Sequence, residues 1–253
     1  MMGLTMSGRF DDLGFEQFRA LATEPGLSRH ERVGFPDDYR EGAEPRIFAD
    51  ILGKMPSLMR RGACVLEIGP GCSDLPRLLV EHAAALGQTV HFVDSPEMLT
   101  HLPTPSFVRL WPGRYPQDVG DLLQTLRGKV DVVLAYSVLQ YVFVEGNLWD
   151  FLDRTLGLLT EGGEILFGDL PNQGMRKRFF SSAAGRRSHR SFTGRDEDPH
   201  VQFNQLEPGQ IDDSVVLALL SRARSQGFHA WALPQAAELP MANRREDLLI
   251  RRP

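Results

Sequence analysis

Residues 63–74, ACVLEIGPGCSD, decide the fold of this chain. The stretch begins with a short apolar run, which indicates a buried strand, and then breaks at Gly69 and Gly71. A helix is predicted to begin at about residue 73, with Pro76 in the first turn, where a helix needs no backbone donor. Glycines at such a turn let a ligand approach the backbone beside a helix N-terminus.

A second apolar run, VHFVD at residues 90–94, ends in Asp94, whose carboxylate can accept hydrogen bonds from both hydroxyls of a ribose. The order of acidic residue, Gly-x-Gly, helix, strand and acidic residue resembles the Rossmann-like S-adenosylmethionine (SAM) methyltransferases. Their nucleotide motif reads EIGPGCS at residues 67–73, with Ser73 where the family more often has glycine. The resemblance implies SAM as methyl donor and S-adenosylhomocysteine (SAH) as product.

An NAD-dependent dehydrogenase is the rival interpretation of the same stretch. Its G-x-G-x-x-G fingerprint would place the last glycine at position 74, which is Asp74. A carboxylate there would obstruct close helix–strand packing and face a pyrophosphate, whereas SAM carries no phosphate. The motif therefore favours SAM, and the remaining alternative is a nucleotide fold that has lost its ligand.

Bulk composition sets the outer limits of the function. The chain has 253 residues, 42% of them hydrophobic, and a formal net charge of −5, which gives no general attraction to nucleic acid or anionic membranes. No apolar run approaches the roughly 20 residues of a membrane span, and the N-terminus lacks a signal-peptide pattern. The two cysteines suggest no metal site. We therefore expect a cytoplasmic protein without a metal or a membrane partner.

Alternating strand and helix patterns predict an α/β fold with a mostly parallel sheet and helices on both faces. Apolar residues at helical spacing predict a helix from Leu148 through Leu159 to Gly162, and another around Phe10 and Leu21. The final runs, FHAWALP and DLLIRR, resemble the antiparallel hairpin that the methyltransferase family adds to the sheet. The chain is predicted to divide into four segments. Residues 1–60 form a helical extension or lid, and residues 61–170 form the SAM-binding core. Residues 171–211 form a basic substrate-recognition insert, and residues 212–253 form a final helix with the hairpin.

The cofactor residues follow from the motif and the resemblance. Glu67 is predicted to lie near the SAM amino group, because a carboxylate pairs with an ammonium. Gly69 and Gly71 would let the backbone run against the amino-acid moiety, and Asp94 would bind the ribose. The adenine contact stays open, since Arg114 cannot accept a hydrogen bond. The other predicted cofactor-binding residues are Ser73, Ser95, Met98 and Tyr136.

The acceptor is predicted to bind beyond the fourth strand and under the basic insert. Tyr136 and Tyr141 follow that strand, at the edge where open α/β sheets bind ligands. An alcohol acceptor needs a general base, for which His189 and Asp169 are the candidates, whereas a neutral amine needs only an orienting group such as Tyr136. The insert is interpreted either as a solvated loop or as a site for a phosphate or carboxylate. Its predicted substrate-binding residues are Arg178, Arg186, Arg187 and Arg190.

Together these features predict a SAM-dependent methyltransferase that acts on oxygen or nitrogen of a small, anionic, sugar-like acceptor. The insert and the ending PMANRREDLLI resemble methyltransferases that tailor bacterial surface sugars, including acidic nine-carbon sugars. The alternatives are an RNA or protein methyltransferase that uses the basic insert, although few aromatic residues there could stack on bases, and a non-catalytic SAM-binding partner protein. The oligomeric state stays open.

Overall fold

The computed structural model describes residues 13–35, 42–205 and 207–253, and the predicted helical position Phe10 lies outside them. The described chain contains a seven-stranded sheet. Its strands are β1 (Cys64–Ile68), β2 (Thr89–Asp94), β3 (Val108–Pro112), β4 (Val130–Tyr136), β5 (Leu159–Pro171), β6 (His229–Pro234) and β7 (Arg245–Arg251).

The strands run in the order β3-β2-β1-β4-β5-β7-β6. The first five in this order are parallel, and β7 pairs antiparallel with both β5 and β6. The predicted fold class, a mostly parallel sheet with a C-terminal antiparallel hairpin, is confirmed. Because the strand order reverses between β1 and β4, the carboxyl ends of these two strands flank the topological switch point, where α/β sheets bind ligands.

Eleven α-helices are described around the sheet. They are α1 (Phe15–Thr23), α2 (Arg29–Arg32), α3 (Glu44–Lys54), α4 (Leu75–Leu86), α5 (Pro96–Leu99), α6 (Gly120–Leu126), α7 (Leu139–Glu145), α8 (Leu148–Leu156), α9 (Gln173–Ser181), α10 (Ala183–Thr193) and α11 (Asp213–Ser225). Short 3₁₀ helices cover Pro56–Met59 and Ala242–Arg244. As predicted, α4 follows the glycine loop with Pro76 in its first turn, and it ends at Gly87, whose φ is 64°.

The core forms two apolar layers, one on each face of the sheet. Along β4, Val133 and Ala135 belong to one layer, and Val132 and Leu134 belong to the other. This alternation explains the near-continuous apolar run of the strand, because a central parallel strand is covered on both faces.

The predicted helix through Leu159 is wrong at its C-terminal end. The helix α8 ends at Leu156, and Leu159 already pairs with Val130 as the first residue of β5. A leucine at helical spacing also fits the first position of a buried strand, so periodicity alone could not place the boundary. The helix α7, which the sequence analysis did not predict, lies between β4 and α8, and the basic insert contains α9 and α10.

None of the helices in the described parts of the chain is long and apolar enough to cross a bilayer.

Candidate functional site

A cleft lies at the carboxyl ends of β1, β2 and β4, where the strand order reverses. Many of the predicted cofactor and acceptor residues line this one cleft, although they come from distant parts of the sequence. These residues are Glu67, Gly69, Gly71, Ser73, Asp94, Met98, Tyr136 and Tyr141.

The turn after β1 requires its glycines. Gly69 and Gly71 have φ of 66° and 64°, a left-handed conformation that side chains rarely adopt. A Cβ on Gly69 would lie 2.8 Å from Val138 Cγ2, and one on Gly71 would lie 2.6 Å from Val33 Cγ1. Side chains at these positions would therefore be strained and would also collide with neighbours. The glycines keep the loop backbone accessible from the cleft.

Asp94 joins the glycine loop to the next strand. Its Oδ2 accepts a hydrogen bond from the Gly71 backbone N–H at 3.0 Å, and its Oδ1 accepts one from the Ser95 N–H at 2.7 Å. Burial raises the pKa of Asp94 to about 6, although both hydrogen bonds oppose this shift. A carboxylate has about four lone-pair sites, so two remain for a ligand diol.

Glu67 is the most unusual group in the cleft. Its side chain is 1% exposed, and its Oε2 has no hydrogen-bond partner among the described residues. Burial, and to a lesser extent the charge of Asp94, raises the pKa of Glu67 to about 8. A buried carboxylate oxygen without a partner is costly, and a cationic ligand group would remove that cost. An acceptor oxygen of this kind fits a donating ammonium group such as that of SAM.

The wall beyond β2 and β3 combines apolar and polar residues. Met98 is buried and lines the cleft, while Ser95 lies behind it and caps α5 by accepting the Met98 N–H at 3.2 Å. Residues after β3 also line the cleft, namely Gly113, Arg114 and Gln117. The sequence analysis did not identify Gln117, which lies on an irregular segment with no periodic signal.

The segment before the core covers the mouth of the cleft. The Phe15 N–H donates to Glu145 Oε2 at 3.0 Å, and Arg114 Nη2 donates to the same oxygen at 2.9 Å. The Arg114 guanidinium lies 5.5 Å from the centre of the Phe15 ring, and the Phe18 ring meets Tyr141 edge-on at 4.9 Å. Phe15 and Phe18 stand on one face of α1, three positions apart, and both line the cleft. That spacing is the sequence signal that could have identified them.

Two candidate catalytic residues stand outside the cleft lining. Asp169 is buried directly behind Ser137, with Arg245 Nη1 at 2.8 Å from its Oδ2. His189 lies on α10, where its ring packs edge-on against Phe180 at 6.2 Å. The structure therefore brings Asp169, but not His189, beside the wall of the cleft.

The arginines of the insert also lie outside the cleft lining, and several have acidic partners. Arg178 pairs with Asp213 at 2.5 Å, and Arg190 pairs with acidic side chains that follow α10. Arg186 and Arg187 are exposed on α10. Among the described residues, no group of three His, Cys, Asp or Glu side chains could hold a metal ion.

No family model matches this sequence, and no curated protein matches it. Several solved structures do match its fold. The plantazolicin methyltransferase BpumL, in complex with SAH and a triazolic desmethylPZN analogue, superposes with a TM-score of 0.56 at 12% identity, over 94% of this chain and 96% of that chain.

Two further structures have a similar likeness. The CurJ carbon methyltransferase matches at 17% identity with a TM-score of 0.53, over 85% of this chain but only 56% of its own. A complex of the Haloferax volcanii Trm112 methyltransferase activator with a methyltransferase matches at 15% identity with a TM-score of 0.54, over 92% of this chain and 96% of that chain. At these identities the likeness concerns the fold alone, and the chain has the Rossmann-like fold of the SAM-dependent methyltransferases.

Proposed function

We propose that this protein is a SAM-dependent methyltransferase. The observation that carries the proposal is the buried Oε2 of Glu67, which lacks a hydrogen-bond partner among the described residues and belongs to a residue that lines the cleft beside two left-handed glycines. SAM bears an ammonium for this oxygen and a ribose diol for Asp94, and it has no phosphate to be repelled by Asp74. When bound, SAM supplies an electrophilic methyl group on a sulfonium.

The chain's own contribution is to bind and align. Glu67 and the glycine loop would hold the amino-acid end, and Asp94 would hold the ribose, which leaves the carboxyl end of β4 for the acceptor. This assignment places Tyr136 and Tyr141 on the acceptor side of the cleft. We propose further that the segment before the core acts as a lid, which is supported by the contacts of Phe15 with Glu145 and Arg114.

Calorimetry tests the cofactor directly. Protein stripped of endogenous small molecules is titrated separately with SAM, SAH and NADH. We expect heat with SAM and SAH and none with NADH. Absence of a signal with both SAM and SAH would refute the proposed function, and binding of NADH alone would favour a dehydrogenase.

For the acceptor, we propose a small anionic compound methylated at oxygen or nitrogen, as the sequence analysis predicts, with surface sugars as the first class to examine. The exposed Arg186 and Arg187 of α10, although outside the cleft lining, support an anionic partner, whereas Arg114 in the cleft wall is already paired with Glu145 at 2.9 Å. Nucleotide-activated and acidic sugars are incubated with SAM, and a mass increase of one methylene marks the acceptor.

The lining of the cleft favours including aromatic compounds in the same screen. Phe15, Phe18, Phe35 and Tyr141 line it, and BpumL, which shares the fold, was crystallised with a triazolic desmethylPZN analogue. Salt-dependent binding of RNA would instead favour the macromolecular alternative. Binding of SAM without transfer to any compound would favour a non-catalytic partner.

A further inference from the structure

A buried polar cluster lies behind the cleft wall, where β4 and β5 end. Ser137 follows β4 and lines the cleft, and its hydroxyl donates a short hydrogen bond to Asp169 Oδ2. Both residues have left-handed backbones, with φ of 60° and 59°, although neither is glycine. Such conformations cost free energy and persist only where surrounding contacts hold them, and they concentrate at functional sites.

The contacts that hold Asp169 come from three other segments. Arg245 Nη1 donates to its Oδ2 at 2.8 Å, and Asp247 Oδ1 accepts its backbone N–H at 2.8 Å. Lys54 Nζ, in α3, lies 2.7 Å from Asp247 Oδ2. Gln235 Nε2 donates to Asp247 Oδ1 at 3.1 Å. Asp169 is 2% exposed, and its carboxylate is fixed in one orientation by Arg245 on Oδ2 and by Gln235 Nε2, which lies 3.4 Å from Oδ1.

This orientation determines what the Ser137 oxygen can bind. A serine hydroxyl has one proton and two acceptor lone pairs. Because the proton points at a carboxylate held by Arg245, any other partner of the oxygen must donate a hydrogen bond to it. Seen from the cleft, Ser137 is therefore an acceptor and not a donor.

In the proposed arrangement, Ser137 at the end of β4 lies next to the glycine loop and on the side left for the acceptor. The adjacent Val138 lies against Gly69, at 2.8 Å from the position that a Cβ would occupy there. Glu67, Gly69 and Asp94 lie on the β1–β2 side, so the end of β4 is the wall that a methyl acceptor would face.

We propose that Ser137 binds the methyl acceptor by accepting a hydrogen bond from the O–H or N–H group that is to be methylated. Asp169 is a positioning residue, which acts by fixing the hydroxyl proton of Ser137, and Asp247 with Lys54 holds Asp169. The inference rests on the proposed function and deepens it. The acceptor carries a proton on its nucleophilic atom, which distinguishes it from a carboxylate or an ether.

The test compares small ligands that differ in this proton. Binding of phenol and anisole, and of aniline and N,N-dimethylaniline, is measured by ligand-observed NMR on the SAH-saturated protein. Three variants are compared with the wild type. Ser137→Gly removes the hydroxyl and suits the left-handed backbone. Asp169→Asn keeps the shape of the positioning side chain. Tyr115→Phe is the matched control, because Tyr115 lines the same cleft but its hydroxyl is paired with Thr155 Oγ1 at 3.1 Å.

We expect the affinity ratio of phenol to anisole, and of aniline to its dimethyl analogue, to fall about 2- to 10-fold in Ser137→Gly, which corresponds to one net hydrogen bond. The ratios should fall partway in Asp169→Asn and stay unchanged in Tyr115→Phe. A purely structural role would weaken both members of a pair equally and leave the ratio intact. Unchanged ratios in Ser137→Gly, an equal fall in Tyr115→Phe, or no detectable binding of phenol and aniline would overturn the inference.

Calorimetry with SAH on the same samples separates this inference from the proposed function. If wild-type protein binds SAH but shows no preference for the donor ligands, only the role of Ser137 fails. If it does not bind SAH, the proposed function itself fails.

Discussion

Replacing Asp94 offers the sharpest test of the proposed cofactor site. Its two carboxylate oxygens already accept the backbone N–H groups of Gly71 and Ser95, at 3.0 and 2.7 Å, and the remaining lone pairs are available to a ribose diol. Each hydrogen bond to a charged group contributes about 1.5–3 kcal/mol. Losing two ligand bonds in Asp94→Ala should therefore weaken SAH binding by about 3 kcal/mol or more, which is roughly 100-fold.

Asp94→Asn should have an intermediate effect of roughly 10-fold, because the amide keeps one acceptor oxygen but turns an NH₂ group toward a backbone donor. Asp94→Ala also leaves the two loop amides without this partner, so the free energy of unfolding should fall by about 1–3 kcal/mol. Affinity is measured by calorimetry and stability by urea unfolding. The matched control is Asp74→Asn. The Asp74 carboxylate lies beside the same loop, is half-exposed and pairs with Arg29 at 2.6 Å. We expect this control to change SAH affinity by less than about 3-fold.

A second ligand separates ribose binding from damage to the loop. The 2′,3′-dideoxy analogue of SAH lacks the hydroxyls, so wild-type protein should bind it about 100-fold more weakly than SAH, whereas Asp94→Ala should bind both ligands alike. If Asp94→Ala bound SAH within a few-fold of wild type, or lost as much affinity for the dideoxy analogue as for SAH, the assignment of Asp94 to the ribose would be refuted.

Three further outcomes are expected. SAM affinity should rise from about pH 6 to about pH 8, because burial raises the pKa of Glu67 to about 8 and only the ionised carboxylate attracts an ammonium. In calorimetry, Glu67→Gln should flatten this pH profile. A profile that the substitution leaves unchanged would contradict the pairing of Glu67 with the ammonium. Gly71→Ala should abolish measurable SAM binding and lower the melting temperature, because the new Cβ would lie 2.6 Å from Val33 at a φ of 64°, and wild-type affinity would contradict that geometry. Glu145→Ala removes the acceptor of the Phe15 N–H and should speed hydrogen exchange in α1 by up to about 10-fold. SAH affinity should fall as well if α1 covers the cofactor, and unchanged SAH affinity would contradict that role of α1.

Much of the sheet was predictable because its signals are local. The apolar runs of β1, β2 and β4, the breaks at Gly69 and Gly71 and the proline at Pro76 each constrain the backbone over a few residues. Alternation of strands and helices then predicts parallel pairing, since short connections and right-handed crossovers leave few other topologies. The boundary between α8 and β5 was not predictable, because a leucine at position 159 satisfies either periodicity and only pairing with Val130 decides between them.

The site divides in the same way. Residues of the cleft that lie within one continuous motif could be predicted, such as Glu67 and the two glycines. Asp94 could be predicted because it ends the next strand, β2. Contacts between segments far apart in sequence could not. The hydrogen bond of Phe15 to Glu145 spans 130 positions, and that of Asp169 to Asp247 spans 78. Neither pair has a local pattern that would identify it.

The sequence by itself thus determined the strand-and-loop frame of the cleft, because the conformations of glycine and proline and the burial of apolar runs are local properties. Only the tertiary structure decided what surrounds that frame. It packed α1 over the mouth of the cleft, buried a Glu67 oxygen that has no hydrogen-bond partner among the described residues, and held Asp169 against Ser137 behind the cleft wall. Those features depend on which distant side chains meet in the folded chain, and that is set by packing and by the pairing of buried charges.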